Sequence, residues 1–189
     1  MGLFDSFRKE EVAGTKVLVC TLDAKFAQQL NSDSQTYKRY YPATTATTYA
    51  GLQGLTQALK QPCDILHFLG DLSAEGLIAD SGGKTIPAAQ LIDSCCDANV
   101  KLLWMASDNK AENYNKAFNV QGKKLNVIMT VRRLGPYFSL FLSNLLEKMS
   151  AGEAVGKAWN DLNPQGGDSV QPDTPECVFV GGRKVVLKK

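Results

Sequence analysis

Four apolar runs of strand length, separated by segments of helical character, constrain the fold of this chain more than any other feature. They cover residues 16–22, 64–69, 100–106 and 125–131. Most successive residues in each run are apolar, so both faces of the strands are expected to be buried, as in a parallel sheet covered by helices. The intervening segments carry apolar residues at helical spacing, as at Leu52, Leu55 and Leu59. This alternation predicts one α/β sheet with helices on both faces.

The remaining elements are bounded by turn and capping residues. Helices are expected from Ala24 to about Leu30, over 49–59 and ending before Pro62, from Pro87 to about 98, and over 110–118, 136–149 and 153–162. Weaker strands are expected over 40–45, 177–180 and 183–187, with a hairpin or loop over 72–85 and a Gly/Pro/Asp-rich loop over 163–175.

Size and composition describe an ordinary globular protein without a strong electrostatic field. At 189 residues the chain fits a single domain, which we place at 16–189, preceded by an N-terminal arm at 1–15. A net charge of +2 argues against a nucleic-acid partner. The chain has five cysteines and one histidine, with no zinc-ligand spacing among them, so neither a metal nor a cofactor is expected.

The sequence predicts a cytoplasmic protein with no membrane span. No apolar run approaches the roughly 20 residues that a bilayer requires, and the N-terminus lacks the apolar core of a signal peptide. Residues 1–6 fit the loose N-myristoylation pattern. The alternative is that the N-terminal arm is an apolar segment that docks on the domain itself or on a partner through Leu3, Phe4 and Phe7.

Candidate functional residues lie where two central strands end. Chemistry in open α/β sheets gathers at the carboxyl ends of strands, which here gives Asp71 and Ser107. A phosphate-binding loop ending in Gly83-Lys84-Thr85 is excluded, because Ile78 stands where that motif needs glycine.

The strand-end segments Ile-Leu-His-Phe-Leu-Gly-Asp71 and Leu-Leu-Trp-Met-Ala-Ser107 resemble the CHAT family of caspase-like cysteine peptidases. The resemblance extends over about residues 16–187. It implies a caspase-like three-layer sandwich with a mostly parallel sheet of about six strands and helices on both faces. It also places Asp71 at the family's catalytic histidine and Ser107 at its catalytic cysteine. His67 matches a histidine that lies inside the strand.

These departures predict a degenerate member that lacks the family's catalytic dyad. A carboxylate is a poor base for a serine hydroxyl, and the chain has no second imidazole. We expect His67 to be structural, bonding a backbone carbonyl or hydroxyl at the strand end. The substitutes that we considered are Lys110, as the base of a Ser-Lys dyad, and the thiols of Cys20, Cys95 and Cys96. We favour packing in the core for Cys20 and for at least one of Cys95 and Cys96, and we expect the five thiols of the chain to be reduced and mostly buried. The other two are Cys63 and Cys177.

Three functional hypotheses follow. The first is an inactive caspase-like module that binds a protein or peptide, in a family commonly found with repeat domains or in bacterial conflict systems. Its candidate contact surfaces are the helix over 135–149, the N-terminal arm and the basic tail over 183–189. The second is a divergent hydrolase that uses Ser107 or a cysteine. The third is a flavodoxin-like module that binds a small ligand.

Overall fold

A computed structural model describes residues 9–117, 123–162, 176–181 and 184–189. Within them the strands are β1 (Glu10–Val12), β2 (Val17–Thr21), β3 (Thr44–Thr48), β4 (Ile65–Leu69), β5 (Leu77–Ala79), β6 (Thr85–Pro87), β7 (Leu102–Met105), β8 (Asn126–Arg132), β9 (Glu176–Val180) and β10 (Val185–Leu187). The helices are α1 (Ala27–Tyr40), α2 (Leu52–Ala58), α3 (Ala88–Asp97), α4 (Ala111–Ala117), α5 (Pro136–Ser150) and α6 (Val155–Leu162).

Six strands form the central sheet in the order β3-β2-β4-β7-β8-β9. Neighbouring strands are parallel except for the last pair, in which β9 runs antiparallel to β8. The four apolar runs of the sequence became the four inner strands, and every residue of β2, β4 and β7 is buried. The predicted fold class, a mostly parallel sheet of about six strands, is confirmed.

Helices cover both faces of the sheet and produce two separate cores. One core packs α1, α5 and α6 against Trp104 and alternate residues of the strands. The other packs α2, α3 and α4 against Phe68 and the opposite set of strand residues. The alternation of side chains along each strand divides the apolar residues between the two layers. No described helix is long and apolar enough to cross a membrane.

The sequence prediction was wrong about residues 31–48. A short 3-10 turn (Ala24–Phe26) leads into α1, which continues to Tyr40, well past the predicted end near Leu30, and β3 begins only at Thr44. The polar composition of this segment gave no apolar pattern of helical spacing. Two of the side chains that the helix buries are Asp33 and Tyr37, and their hydrogen-bond partners lie far away in the sequence.

The hairpin expected within 72–85 forms from the antiparallel strands β5 and β6. The loop expected over 163–175 and residues 1–8 of the arm lie outside the described residues.

Residues 10–12, which we assigned to the N-terminal arm, form β1. This strand pairs in parallel with β10, with Glu10 opposite Val185. The carboxylate of Glu10 also lies 2.8 Å from the ammonium of Lys101, which directly precedes β7. The pair β1–β10 is therefore attached at the amino edge of the sheet, opposite the edge where the parallel strands end.

Candidate functional site

Ser107 joins the ends of the two central strands. The loop after β4 and the loop after β7 leave the sheet side by side, and the hydroxyl oxygen of Ser107 accepts the backbone N–H of Gly70 at 2.7 Å. Ser107 is only 1% exposed. Its oxygen is thus engaged in holding the two loops together and is shielded from molecules in solution.

A pair of asparagines, missed in the sequence, fixes the loop after β4. The side-chain oxygen of Asn109 accepts the N–H of Leu72 at 2.6 Å, and its amide nitrogen lies 3.2 Å from the carbonyl of Gly70. From α4, Asn113 donates to the carbonyl of Leu72 at 2.7 Å. The signal available in the sequence was two asparagines four residues apart in the segment that follows a strand, but their burial could not be read from it.

Asp71 points away from this clamp toward the surface. Its side chain is 55% exposed, and its carboxylate accepts a hydrogen bond at 2.6 Å from the ammonium of Lys25, which follows β2. This bond raises the pKa of Lys25. Among the described residues no hydrogen bond joins Asp71 to Ser107, so the structure brings their loops together without linking the two side chains.

A shallow, open depression of about 350 Å³ lies beside Ser107 at the same edge of the sheet. The strand pairing shifts register between Thr130 and Arg132, which is a bulge at Val131. Lys110, the candidate base of a Ser-Lys dyad, is exposed at the rim. The depression is lined by Asp108, Asn109, Lys110, Val131, Arg132 and Glu176.

His67 lies in the middle of β4 and is fully buried. Its Nε2 atom is 2.8 Å from a carboxylate oxygen of Asp33, and its Nδ1 atom is 3.1 Å from the hydroxyl of Tyr37; both partners come from α1. A hydroxyl partner was expected from the sequence, whereas the carboxylate was not. The histidine therefore attaches α1 to the centre of the sheet and does not reach the strand-end loops.

The direction in which each pKa is shifted indicates the charge states of His67, Asp33 and Tyr37. Burial lowers the pKa of His67, so its imidazole is neutral near pH 7. Burial acts to raise the pKa of Asp33, but the hydrogen bonds that it accepts from His67 and Arg133 and the positive charge of Arg133 outweigh it and hold that pKa below its usual value. The ionised carboxylate can only accept, so Nε2 carries the proton and donates to Asp33. Nδ1 then accepts from the hydroxyl of Tyr37, whose pKa is raised by burial.

Arg133 supplies the positive charge that balances Asp33. Its Nη2 and Nη1 atoms donate to the two carboxylate oxygens at 2.8 and 3.0 Å, and Nη1 also donates to the carbonyl of Ala106 at 2.7 Å. The guanidinium lies 3.7 Å from the ring centroid of Phe138. This two-bond geometry is the strongest arrangement for an arginine–carboxylate pair.

The Asp33–His67–Tyr37 chain has the connectivity of a proton relay, but it is closed to substrate. Trp104 packs edge-on against the imidazole, with ring centroids 5.3 Å apart. Asp33, His67, Tyr37 and Trp104 are each at most 1% exposed. What this arrangement can do is hold α1, β4 and the turn after β8 in fixed positions.

The cysteines are poorly suited to act as nucleophiles. Burial raises the pKa of Cys63 and Cys177 to about 12 and places that of Cys20 and Cys95 well above its ordinary value. Cys96 is partly exposed, and burial raises its pKa as well. Because the thiolate is the reactive form, these shifts disfavour catalysis by any of them. The described residues also include no group of three or more His, Cys, Asp or Glu side chains that could hold a metal ion.

Comparison with solved structures places this fold among known proteins. The chain is similar to the structure of pro-sf-caspase-1, with a TM-score of 0.53 and 10% sequence identity, over 96% of this chain and 95% of that chain. At this identity the likeness shows the fold alone, which is caspase-like. No protein-family model and no curated protein matches the chain.

Proposed function

We propose that this chain is a catalytically inactive, CHAT-type caspase-like domain that acts by binding another protein or peptide. The observation that carries the proposal is the state of Ser107, which occupies the position of the family's cysteine. Its oxygen is buried and accepts the N–H of Gly70 at 2.7 Å. A nucleophile must reach its electrophile, whereas this oxygen lies inside the contact between two loops.

The position of the family's base supports the same conclusion. Asp71 bears a carboxylate, which is a poor acceptor for the proton of a serine hydroxyl. Its hydrogen-bond partner is Lys25. The single imidazole of the chain, His67, is enclosed between α1 and β7.

The same observations weaken the two alternatives. A divergent hydrolase needs an accessible Ser107 or a reactive thiol, and both the hydroxyl and most of the thiols are buried. A flavodoxin-like module needs open strand ends to receive its ligand. Between β4 and β7 that space is occupied by the hydrogen bonds of Ser107, Asn109 and Asn113.

A contact surface for a partner lies on α5. Most of the apolar residues predicted to form a stripe on this helix are in the core, but Tyr137 is 42% and Leu140 is 60% exposed. They are three residues apart and so lie on one face of the helix, which we term the α5 patch. Exposed aromatic and aliphatic side chains held on a rigid helix are suited to anchor a partner's apolar segment.

The proposal is tested by affinity capture from the native host, quantified by mass spectrometry. We expect a partner that the unmodified chain and Ser107→Ala recover equally and that Tyr137→Ser/Leu140→Ser loses. The matched control on α5 is Lys148→Ser, a charged position far from the patch in the same helix. Circular dichroism of each variant verifies that the fold is retained.

Two outcomes would contradict the proposal. One is a partner whose recovery or cleavage depends on Ser107, which would indicate chemistry at the strand ends. The other is recovery that the α5 variant leaves unchanged, which would remove the proposed contact surface.

A further inference from the structure

We propose that one part of the amino edge of the sheet docks electrostatically on a membrane surface that contains anionic phospholipids. This part lies around the start of β2 and around the strand pair β1–β10. Its exposed or half-exposed cationic residues, which we term the basic edge surface, are Lys9, Lys16, Lys38, Arg39, Lys60, Lys184 and Lys188.

The fold gathers these residues from distant parts of the chain. Lys16 directly precedes β2. The helices α1 and α2 end at the same edge, because each of them returns the chain from the carboxyl end of one parallel strand to the amino end of the next. The last turn of α1 contributes Lys38 and Arg39, and Lys60 follows α2.

The strand β10 adds lysines at both of its ends. The carbonyl of Lys188 accepts the backbone N–H of Thr15 at 3.1 Å, which places the end of β10 beside the start of β2. At the other end of β10 the carbonyl of Lys184 accepts the N–H of Glu10 at 3.0 Å. Lys184 lies at most about 14 Å from Lys188, the length of four extended residues.

Acidic residues neutralise only part of this charge. The carboxylate of Glu11 lies 2.6 Å from the ammonium of Lys188 and 2.7 Å from that of Lys9, and the hydrogen bonds from Lys188 and Lys9 lower the pKa of Glu11 to about 2. A second acid, Asp64, accepts the backbone N–H of Lys16 at 2.9 Å. The ion pair between β1 and the residue before β7 adds no net charge. The cations of the basic edge surface therefore outnumber the acids beside them.

The excess of positive charge is confined to this part of the edge. Toward β7 and β8 the same edge carries Asp93 and Asp97 together with Lys123 and Lys124, and Lys123 forms an ion pair with Asp93. Acids and bases are balanced there. The net charge of +2 for the whole chain does not reveal this uneven distribution.

The composition of the basic edge surface favours a lipid surface over an acidic segment of a protein. Its cations are lysines except for Arg39, and lysine acts as a point charge, whereas arginine binds a carboxylate in a fixed two-bond geometry. Protein interfaces have an apolar centre. The exposed large hydrophobic residues of the described part of the chain lie on α5 and β9, away from this surface: Tyr137, Leu140, Val178 and Val180. Clusters of lysine and arginine are typical of surfaces that bind anionic lipids.

The sequence that precedes Lys9 contains a signal of the same kind. Residues 1–6 fit the N-myristoylation pattern. One acyl chain gives only marginal membrane binding, and stable anchoring needs a second signal such as a group of basic residues. The basic edge surface has the chemistry of that second signal, and its own attraction to anionic lipids does not require acylation.

Docking through this surface leaves the α5 patch free for a protein partner. Tyr137 and Leu140 lie near the start of α5, which follows the carboxyl end of β8. The patch and the basic edge surface are therefore at opposite edges of the sheet, so membrane docking and partner binding are compatible.

Co-sedimentation of the non-acylated full chain with lipid vesicles tests the proposal. One preparation is pure phosphatidylcholine, and the other contains about 30 mol% phosphatidylserine. We expect binding to the anionic vesicles alone, and we expect added salt to weaken it by screening the charges. Removing three cations in Lys16→Gln/Lys60→Gln/Lys184→Gln should weaken this binding by about tenfold or more.

The matched control is Lys84→Gln/Lys110→Gln/Arg132→Gln, which lowers the net charge equally by replacing exposed residues elsewhere on the molecule. It should bind the anionic vesicles as the unmodified chain does. A chain lacking residues 2–8 should also retain its preference for phosphatidylserine, because the basic edge surface remains. Circular dichroism of each variant verifies that the fold is retained.

Three results would overturn the proposal. Failure of the unmodified chain to bind the anionic vesicles would exclude the lipid surface as its partner. Equal loss of binding in the two triple variants would mean that the vesicles respond to net charge and not to this surface. Binding of a polyglutamate peptide in the absence of vesicle binding would assign the surface to an acidic protein segment.

Discussion

Replacing Asp33 with asparagine keeps the size of the side chain and removes the charge that Arg133 faces. The carboxylate is 1% exposed and accepts two hydrogen bonds from the guanidinium and one from His67. Breaking a buried pair by removing one partner costs about 3–5 kcal/mol, because it leaves an uncompensated charge. Arg133 retains its hydrogen bond to the carbonyl of Ala106 and its contact with the ring of Phe138. We therefore expect the free energy of unfolding to fall by about 3 kcal/mol, at the lower end of this range.

The matched control is Asp71→Asn, the same substitution in an exposed ion pair with Lys25. The side chains of Asp71 and Lys25 are 55% and 54% exposed, and such pairs contribute about 0–1 kcal/mol. Urea unfolding followed by circular dichroism measures the free energy of unfolding of both variants. The two values are compared only if the slope of that free energy against urea concentration is the same in each variant. If Asp33→Asn lowers the free energy of unfolding no more than Asp71→Asn does, the buried ion pair does not stabilise the fold as described.

Three further predictions concern titration, the strand-end clamp and the thiols. Burial holds the pKa of His67 below its unfolded value of about 6.5. Below that pH the unfolded chain therefore binds more protons than the folded chain, and the free energy of unfolding should fall as the solution is acidified. The free energy of unfolding should change by at most about 1.4 kcal/mol per pH unit, and this dependence on pH should be smaller in His67→Gln. A pH dependence that the substitution leaves unchanged would contradict the assignment of a neutral, buried His67. Ser107→Ala leaves the N–H of Gly70 unpaired and should cost about 1–3 kcal/mol in urea unfolding, and a neutral result would argue against the clamp. In native thiol titration Cys96 should react first, and equally fast reaction of Cys63 would be incompatible with its burial.

The central sheet could be predicted because its signal is local. Runs of consecutive apolar residues specify strands that are buried on both faces, and they became β2, β4, β7 and β8. The extent of α1 had no such signal. Asp33 is buried because His67 and Arg133, 34 and 100 residues further along the chain, supply its partners. Polar residues buried through long-range pairing cannot be distinguished from exposed ones by periodicity.

The sequence predicted that the loops after β4 and β7 meet, but not which side chains they contact. The Gly70–Ser107 hydrogen bond shows that the loops after β4 and β7 meet at one edge, as strand-end reasoning expects. The partners that set its chemistry come from other elements: Lys25 follows β2, and Asn113 lies on α4. Which side chains converge on a strand end depends on the packing of helices and loops, and short motifs do not encode it.

Covalent labelling of Ser107 tests the central claim, that the strand-end site has lost its chemistry, most directly. The native chain is incubated with a fluorophosphonate probe near neutral pH, and the adducts are located by intact mass and peptide mapping, with an active serine hydrolase as the positive control. The buried, hydrogen-bonded hydroxyl predicts no adduct at Ser107. A stoichiometric adduct on Ser107 that is lost in Ser107→Ala would contradict this account.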